Sequence, residues 1–313
     1  MCGIVGLYLK NPALNNSLGE LFEPMLIQMT QRGPDSAGFA VYRDQLEVAK
    51  IKVVLQHPDP GFDWSELKND ITAALGPLES ANQIHNHYKF IVNSTGDAVR
   101  EFFDNHKCGI AVVSIGHSIE IYKEVGTPAE VANYFGLREM SGTHAIGHTR
   151  MATESAVTTA GSHPFSTGDD VCLVHNGSLS NHNRLREKLK VLGARFFTEN
   201  DTEVAANYFA TKLACGESLE NSLTDALNDL DGFYTFAIGT ANGFAVLRDP
   251  IACKPAVMAE TDNWVALASE YRSLADLPGI ESANLWEPEP GVPYLWETTP
   301  SANTKQRNDL AHA

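Results

Sequence analysis

Met1-Cys2-Gly3-Ile4-Val5-Gly6-Leu7-Tyr8-Leu9 opens the chain, and the reading of this stretch decides the fold. Removal of Met1, which the residue behind it permits, makes Cys2 the amino-terminal residue. A terminal cysteine carries a thiol and an α-amine on one residue. The free amine titrates at about 7.7–8.0 and the thiol at about 8.5, so a proton passes between them cheaply near neutral pH. Such a nucleophile needs no separate histidine to activate it. Ile4 to Leu9 is a short apolar run with Gly6 inside it, which predicts a fully buried strand holding Cys2 at its edge. The same letters also fit a buried first strand that merely begins with cysteine, and these nine residues alone leave both readings open.

Composition bounds what the rest can be. A chain of 313 residues can bury a large core in one or two domains. Its 43% hydrophobic and 20% charged residues are ordinary for a soluble globular protein. The formal charge is 23 − 39 = −16, and no basic cluster is interleaved with aromatics, so a nucleic-acid partner is not expected. The five cysteines, at 2, 108, 172, 215 and 253, are odd in number, scattered and free of any CxxC pair. That argues against a zinc site or a disulfide framework and for a reducing compartment. The start lacks a basic region and its apolar run is too short for a signal peptide. No stretch reaches the roughly 20 apolar residues of a membrane span. The expectation is a cytoplasmic protein with no membrane partner.

Working outward, apolar residues at 21, 22, 25, 26 and 29 predict a helix over 19–29. Arg32-Gly33-Pro34-Asp35-Ser36-Ala37-Gly38 then reads as a tight polar loop. Strands are expected at 39–42 and 46–54, paired with each other. Residues 56–108 read as an insertion, with a helix over 64–78 and a strand over 89–93. Strands follow at 109–115 and 119–123, again expected to pair. Thr127-Pro128-Ala129-Glu130 offers an N-cap, a proline at the first helical position and a capping glutamate. A short strand over 143–149 ends at Thr149-Arg150, and one over 171–174 ends at His175-Asn176-Gly177. Helices are predicted over 183–192, from 201 or 202 to 214, and over 218–230. Asn242-Gly243 and Asp262-Asn263 mark two hairpins, 233–248 and 254–268. One domain over 2–300 is the simplest account, and the polar composition of 301–313 predicts a disordered tail.

Five separated stretches fall at predicted strand ends or loops, where reactive side chains tend to sit. They are Met1 to Gly6, Arg32 to Gly38, Gly147-His148-Thr149-Arg150-Met151-Ala152-Thr153, His175-Asn176-Gly177 and Glu199-Asn200-Asp201-Thr202-Glu203. Ser162-His163-Pro164-Phe165 fits between the third and the fourth. Taken singly, Asn176-Gly177 reads as a turn, Asp201-Thr202 as a helix cap and Arg150 as a surface arginine. Together and in this order they resemble the class II glutamine amidotransferases, the glutaminase domains with an N-terminal nucleophile. The resemblance covers roughly residues 2–60 and 109–275. With no isomerase, phosphoribosyltransferase or synthetase domain appended, the chain looks most like the separate glutaminase subunit of glutamate-synthase-like complexes, N-methylglutamate synthase among them.

The resemblance implies a four-layer αββα sandwich, two antiparallel sheets between helical layers. It implies that Cys2 attacks the side-chain amide of L-glutamine, giving a thioester and ammonia, with its own α-amine moving the proton. Asn176 and the backbone N–H of Gly177 would donate to the oxyanion. Arg150 would grip the glutamine carboxylate bidentately, Thr153 would add a hydrogen bond to it, and Asp201 would pair with the ammonium. Arg32 and Asp35 would shape the loop beside the nucleophile. The ammonia would pass to a synthase subunit, and no metal or organic cofactor is implied. Many members follow the arginine with Trp or Tyr and then Thr-His-Gly, whereas here Met151-Ala152-Thr153-Glu154-Ser155 follows. That departure bears on closure of the site and on ammonia hand-off. The rival readings are another Cys-terminal amidase, which would need no clamp for a zwitterion, and a catalytically idle glutamine sensor.

Overall fold

Strand β1 (Gly3–Leu9) is buried along its whole length, as its apolar run predicts. The computed structural model describes residues 2–106, 109–151 and 157–297. Helix α1 (Leu18–Gln28) is followed by strands β2 (Ser36–Tyr42) and β3 (Lys50–Gln56). Helix α2 (Ser65–Leu75), the hairpin of β4 (Leu78–Ile84) and β5 (His87–Asn93), and helix α3 (Gly96–Asn105) come next. Strands β6 (Ala111–Gly116) and β7 (Ile119–Val125) precede α4 (Pro128–Phe135), whose Thr127–Glu130 capping box forms. Strands β8 (His144–Arg150), β9 (Phe165–Gly168) and β10 (Val171–Leu179) lead to α5 (His182–Val191), α6 (Asp201–Ala214) and α7 (Leu219–Asp229). The last third adds β11 (Gly232–Thr240), β12 (Gly243–Arg248), β13 (Val257–Glu260), β14 (Trp264–Ala268), β15 (Asn284–Trp286) and β16 (Tyr294–Glu297).

Two sheets make the sandwich. One has seven strands in the order β15-β13-β14-β1-β8-β2-β7, the other five in the order β16-β12-β11-β10-β9. Alternation along the strands shows how they face each other. Cys172 and Val174 of β10, Ala237 of β11, and Phe244 and Val246 of β12 join the core shared with the seven-stranded sheet. Their alternates Leu173, Phe236, Ile238, Ala245 and Leu247 join a second core under α5, α6 and α7. This period of two is what a sheet covered on both faces requires. On the seven-stranded sheet, a side chain at Gly6 would strike the Phe244 ring, whereas one at Gly147 would meet Phe22 and Leu26 of α1. Phe135 of α4 packs on Phe39 and Tyr122. The layers are therefore helices, sheet, sheet and helices, the αββα order expected.

A third sheet, β4-β5-β3-β6, is built wholly from 50–116 and has its own core with α2 and α3. This corrects two expected pairings. Strand β2 pairs with β7 and β8 rather than with β3, and β6 pairs with β3 rather than with β7. Both misassigned pairs are close in sequence but split between sheets, because β3 and β6 carry the chain out of the sandwich and back. The return is tied down by Glu120 of β7, which is buried and holds Lys52 at 3.0 Å and Lys89 at 3.1 Å. Among the described residues no helix is long and apolar enough to cross a membrane.

Candidate active site

Cys2, half-buried, lies just ahead of β1 at the end of the seven-stranded sheet where β8 also ends, Gly3 opposing Thr149. Ile4 exchanges bonds with Ser269, its N–H donating to Oγ at 2.9 Å and its carbonyl accepting from the Ser269 N–H at 2.9 Å. Two side chains converge on the Cys2 backbone. Arg32 donates from Nε to the Cys2 carbonyl at 3.0 Å and from Nη1 to Glu270 at 2.9 Å. Asn176 donates from Nδ2 to the same carbonyl at 3.2 Å. Arg32 is thus braced by a carboxylate 238 positions away. Nothing in the letters around Ser269-Glu270 singles these residues out.

The parity of β10 explains how Asn176 arrives there. Residues 172 and 174 face the seven-stranded sheet, and 176 continues that series. The odd position, His175, turns toward α6, where Nδ1 lies 3.0 Å from Thr202 Oγ1. The strand does not end in His175-Asn176-Gly177 as expected. It runs on to Leu179, with Asn176 opposite Thr235 and Gly177 opposite Tyr234 of β11. Gly177 has φ 149°, and a Cβ there would come within 2.0 Å of the Phe233 carbonyl. Only glycine fits this position without moving β11.

Asp201 is the first residue of α6, with Asn200 capping the helix. Its Oδ2 accepts from the Leu179 N–H at 2.9 Å, and Oδ1 lies 3.7 Å from His175 Nδ1. Burial would raise the Asp201 carboxyl, but His175, the Leu179 N–H and the His182 charge outweigh it and hold it at about 2. Asp201 is an anion throughout the physiological range.

Arg150 ends β8 opposite Ser36 of β2, and its Nη1 donates to the Gly161 carbonyl at 3.4 Å. Asn200 Nδ2 donates to the same carbonyl at 3.4 Å. One backbone oxygen therefore joins the arginine to the residue that precedes Asp201. Asp35, in the loop before β2, donates its N–H to the Arg150 carbonyl and accepts from the Gly126 N–H. Thr153, together with Ala152, Glu154 and Ser155, lies outside the described residues. The tail over 301–313 lies outside them as well.

Three histidines from separate stretches of the sequence, with no regular spacing, come together here. His148, His163 and His175 are each buried, and the rings of His148 and His163 are 3.9 Å apart. His163 Nε2 lies 2.8 Å from Thr202 Oγ1, the same hydroxyl that meets His175. His148 of β8 stands opposite Ile4 of β1, the strand that follows Cys2. Burial above all, with the nearby His175 and Arg150, pushes its imidazole down to about 3. A base so weak is poorly matched to take a thiol proton at neutral pH. Among the described residues no group of three or more His, Cys, Asp or Glu side chains is arranged to hold a metal ion.

Comparison with known proteins bears on the family. Residues 148–276 match the family model described as a glutamine amidotransferase domain, a span that includes Arg150, Asn176, Gly177 and Asp201. The glutamine amidotransferase-like protein GlxB of Rhizobium meliloti (strain 1021) is 54% identical over 297 residues, covering 95% of this chain and 98% of that one. A putative glutamine amidotransferase of Methanothermobacter thermautotrophicus is 35% identical over 307 residues, covering 95% of this chain and 100% of that one. Among solved structures, the glutamine phosphoribosylpyrophosphate amidotransferase from B. subtilis superposes with a TM-score of 0.60 at 20% identity. It is covered over 47% of its length, against 95% of this chain.

Proposed function

The chain belongs to the class II glutamine amidotransferases, and from that membership we propose that it hydrolyses L-glutamine to glutamate and ammonia through a thioester on Cys2. Once Met1 is removed, the Cys2 thiol adds to the glutamine side-chain amide carbonyl while the α-amine takes its proton. Collapse of the tetrahedral intermediate breaks the carbon–nitrogen bond, and the same proton leaves with the nitrogen as ammonia. Water then adds to the thioester and releases glutamate and the thiol. Water is the only co-reactant that the balance requires.

The observation that carries this reading is the approach of Asn176 to Cys2 across two sheets, at 3.2 Å. Strand pairing holds this amide beside Cys2, where it serves the oxyanion with the Gly177 N–H as its partner. Arg150 takes the glutamine carboxylate, with Thr153 as a second donor. Asp201, held as an anion, takes the ammonium. A substrate with no zwitterion would leave both charges unused.

The ammonia goes to a synthase partner of the glutamate-synthase-like kind, and the unit over 50–116 is an addition to the glutaminase sandwich. Ammonia released into water is protonated and diluted, so a glutaminase serving a synthase gains from being slow until its partner is engaged. A tenfold gain in the competent population takes only about 1.4 kcal/mol of differential binding. The experiment is glutamate release by the isolated chain, then with co-purifying subunits and their acceptor. A rise on assembly is expected. Equal rates in both states, with no subunit recovered, would make the chain an independent glutaminase.

A further inference from the structure

Lys123 is a charged residue in the middle of the sandwich, and neither the nucleophile nor the oxyanion donors account for it. It lies on β7 opposite Gly38 of β2, and Gly38 in turn lies opposite His148 of β8. These three neighbours form a seat for one turn of chain. Lys123 is buried, and its Nζ donates to the carbonyls of Ser162 at 2.8 Å, Pro164 at 3.3 Å and Ala160 at 3.4 Å. The ammonium also stands 4.6 Å above the Phe165 ring. Gly38 leaves room for the His163 carbonyl, which a Cβ would approach to 2.1 Å. His148 meets the His163 ring from the third side.

The seated turn reaches both ends of the substrate clamp. Its Gly161 carbonyl accepts from Arg150 and from Asn200, and its His163 meets Thr202. We propose that Lys123 is a positioning residue that fixes the 160–164 turn so that Arg150 and Asp201 are spaced to hold one free amino acid at both its charges. This rests on the glutaminase reading above. Burying an ammonium is costly, and an apolar side chain of similar length would fill the space at less expense. What a hydrophobe cannot do is bind three carbonyls at once. Burial pushes the amine down to about 8 against the opposing pull of Glu203, so the lysine is still largely charged at neutral pH.

The test compares Lys123→Met and Gly38→Ala with the wild-type chain. The first removes the donors, and the second keeps the ammonium but crowds the turn at the His163 carbonyl and Lys123 at its own Cβ, 2.5 Å from a would-be Cβ. Glutamine KM is expected to rise about tenfold or more in each, with kcat within about twofold, the pattern of lost substrate binding. Alkylation of Cys2 by iodoacetamide, which needs no clamp, should proceed at the wild-type rate and report an intact nucleophile. Should Lys123→Met fail to fold by circular dichroism, Gly38→Ala carries the comparison. Wild-type KM in a folded variant, or a fall confined to kcat, overturns the proposal and leaves the glutaminase reading standing. A mature wild-type chain that turns over no glutamine overturns both.

Discussion

Asn176 of β10 and Cys2 ahead of β1 meet across the interface of the two sheets, the Asn176 amide donating to the Cys2 carbonyl at 3.2 Å. The contact is long-range by 174 positions, and strand parity alone sets it. If the amide also serves the oxyanion, Asn176→Ala should lower kcat by about 10²–10³, or about 2.7–4 kcal/mol of transition-state stabilisation, and leave KM near wild type. Steady-state kinetics decide. A change confined to KM would reassign Asn176 to substrate positioning.

Gly177 makes a sharper claim about the backbone. At φ 149°, with the Phe233 carbonyl 2.0 Å from a would-be Cβ, Gly177→Ala must displace β10 from β11. The expected cost is about 1–3 kcal/mol of stability together with loss of turnover. Ser178→Ala, one residue on and exposed, is the neutral control. Calorimetric melting of the two variants checks this, and equal melting temperatures would contradict it.

Most residues of the candidate site sit in short local strings that can be read from the sequence. Cys2 declares itself by position and Asn200-Asp201 by its place at a helix start, whereas Asn176-Gly177, expected at a strand end, lies inside β10. The braces were not legible. Ser269 and Glu270 come from the far end of the chain to hold Ile4 and Arg32 beside Cys2, and only the antiparallel pairing of β1 with β14 brings them there. Lys123 was hidden for another reason. In Ile119-Glu120-Ile121-Tyr122-Lys123 the two charges read as exposed positions, yet Glu120 is 2% and Lys123 7% exposed, because further layers cover both faces of the strand. Sequence distance also misled the pairing of β2 with β3. The true partner, β7, follows only after the whole third sheet.

Asp201 predicts an acid limb. Its carboxyl is held at about 2, below the ordinary 3.8, by His175, the Leu179 N–H and His182 against the opposing effect of burial. A lowered carboxyl stabilises the fold fully above the unfolded pKa, and that stability is lost as pH falls through the folded one. The contribution is roughly 2 kcal/mol. Asp201→Asn should be less stable by about that amount at pH 7 and should show a flatter profile between about pH 4 and 2. Urea unfolding across this window checks it, and parallel profiles would refute the assignment.

Glu120 predicts where the molecule comes apart. It is buried, and Lys52, Lys89 and Arg43 outweigh burial to hold it below the ordinary glutamate range. Glu120→Ala leaves the buried Lys52 ammonium and its neighbour Lys89 without a countercharge, a loss of about 3–5 kcal/mol. Since the contact joins β7 to β3 and β5, hydrogen exchange should accelerate first in the third sheet. Uniform acceleration across both sheets of the sandwich would contradict this.

The central claim is that Cys2, freed of Met1, is at once the nucleophile and its own base. The measurement is glutamate release from L-glutamine by two preparations whose first residue is fixed by intact mass, one beginning at Cys2 and one retaining Met1. The account predicts equal amounts of glutamate and ammonia from the first and none above background from the second or from Cys2→Ala. Full turnover by the chain that retains Met1 would contradict it.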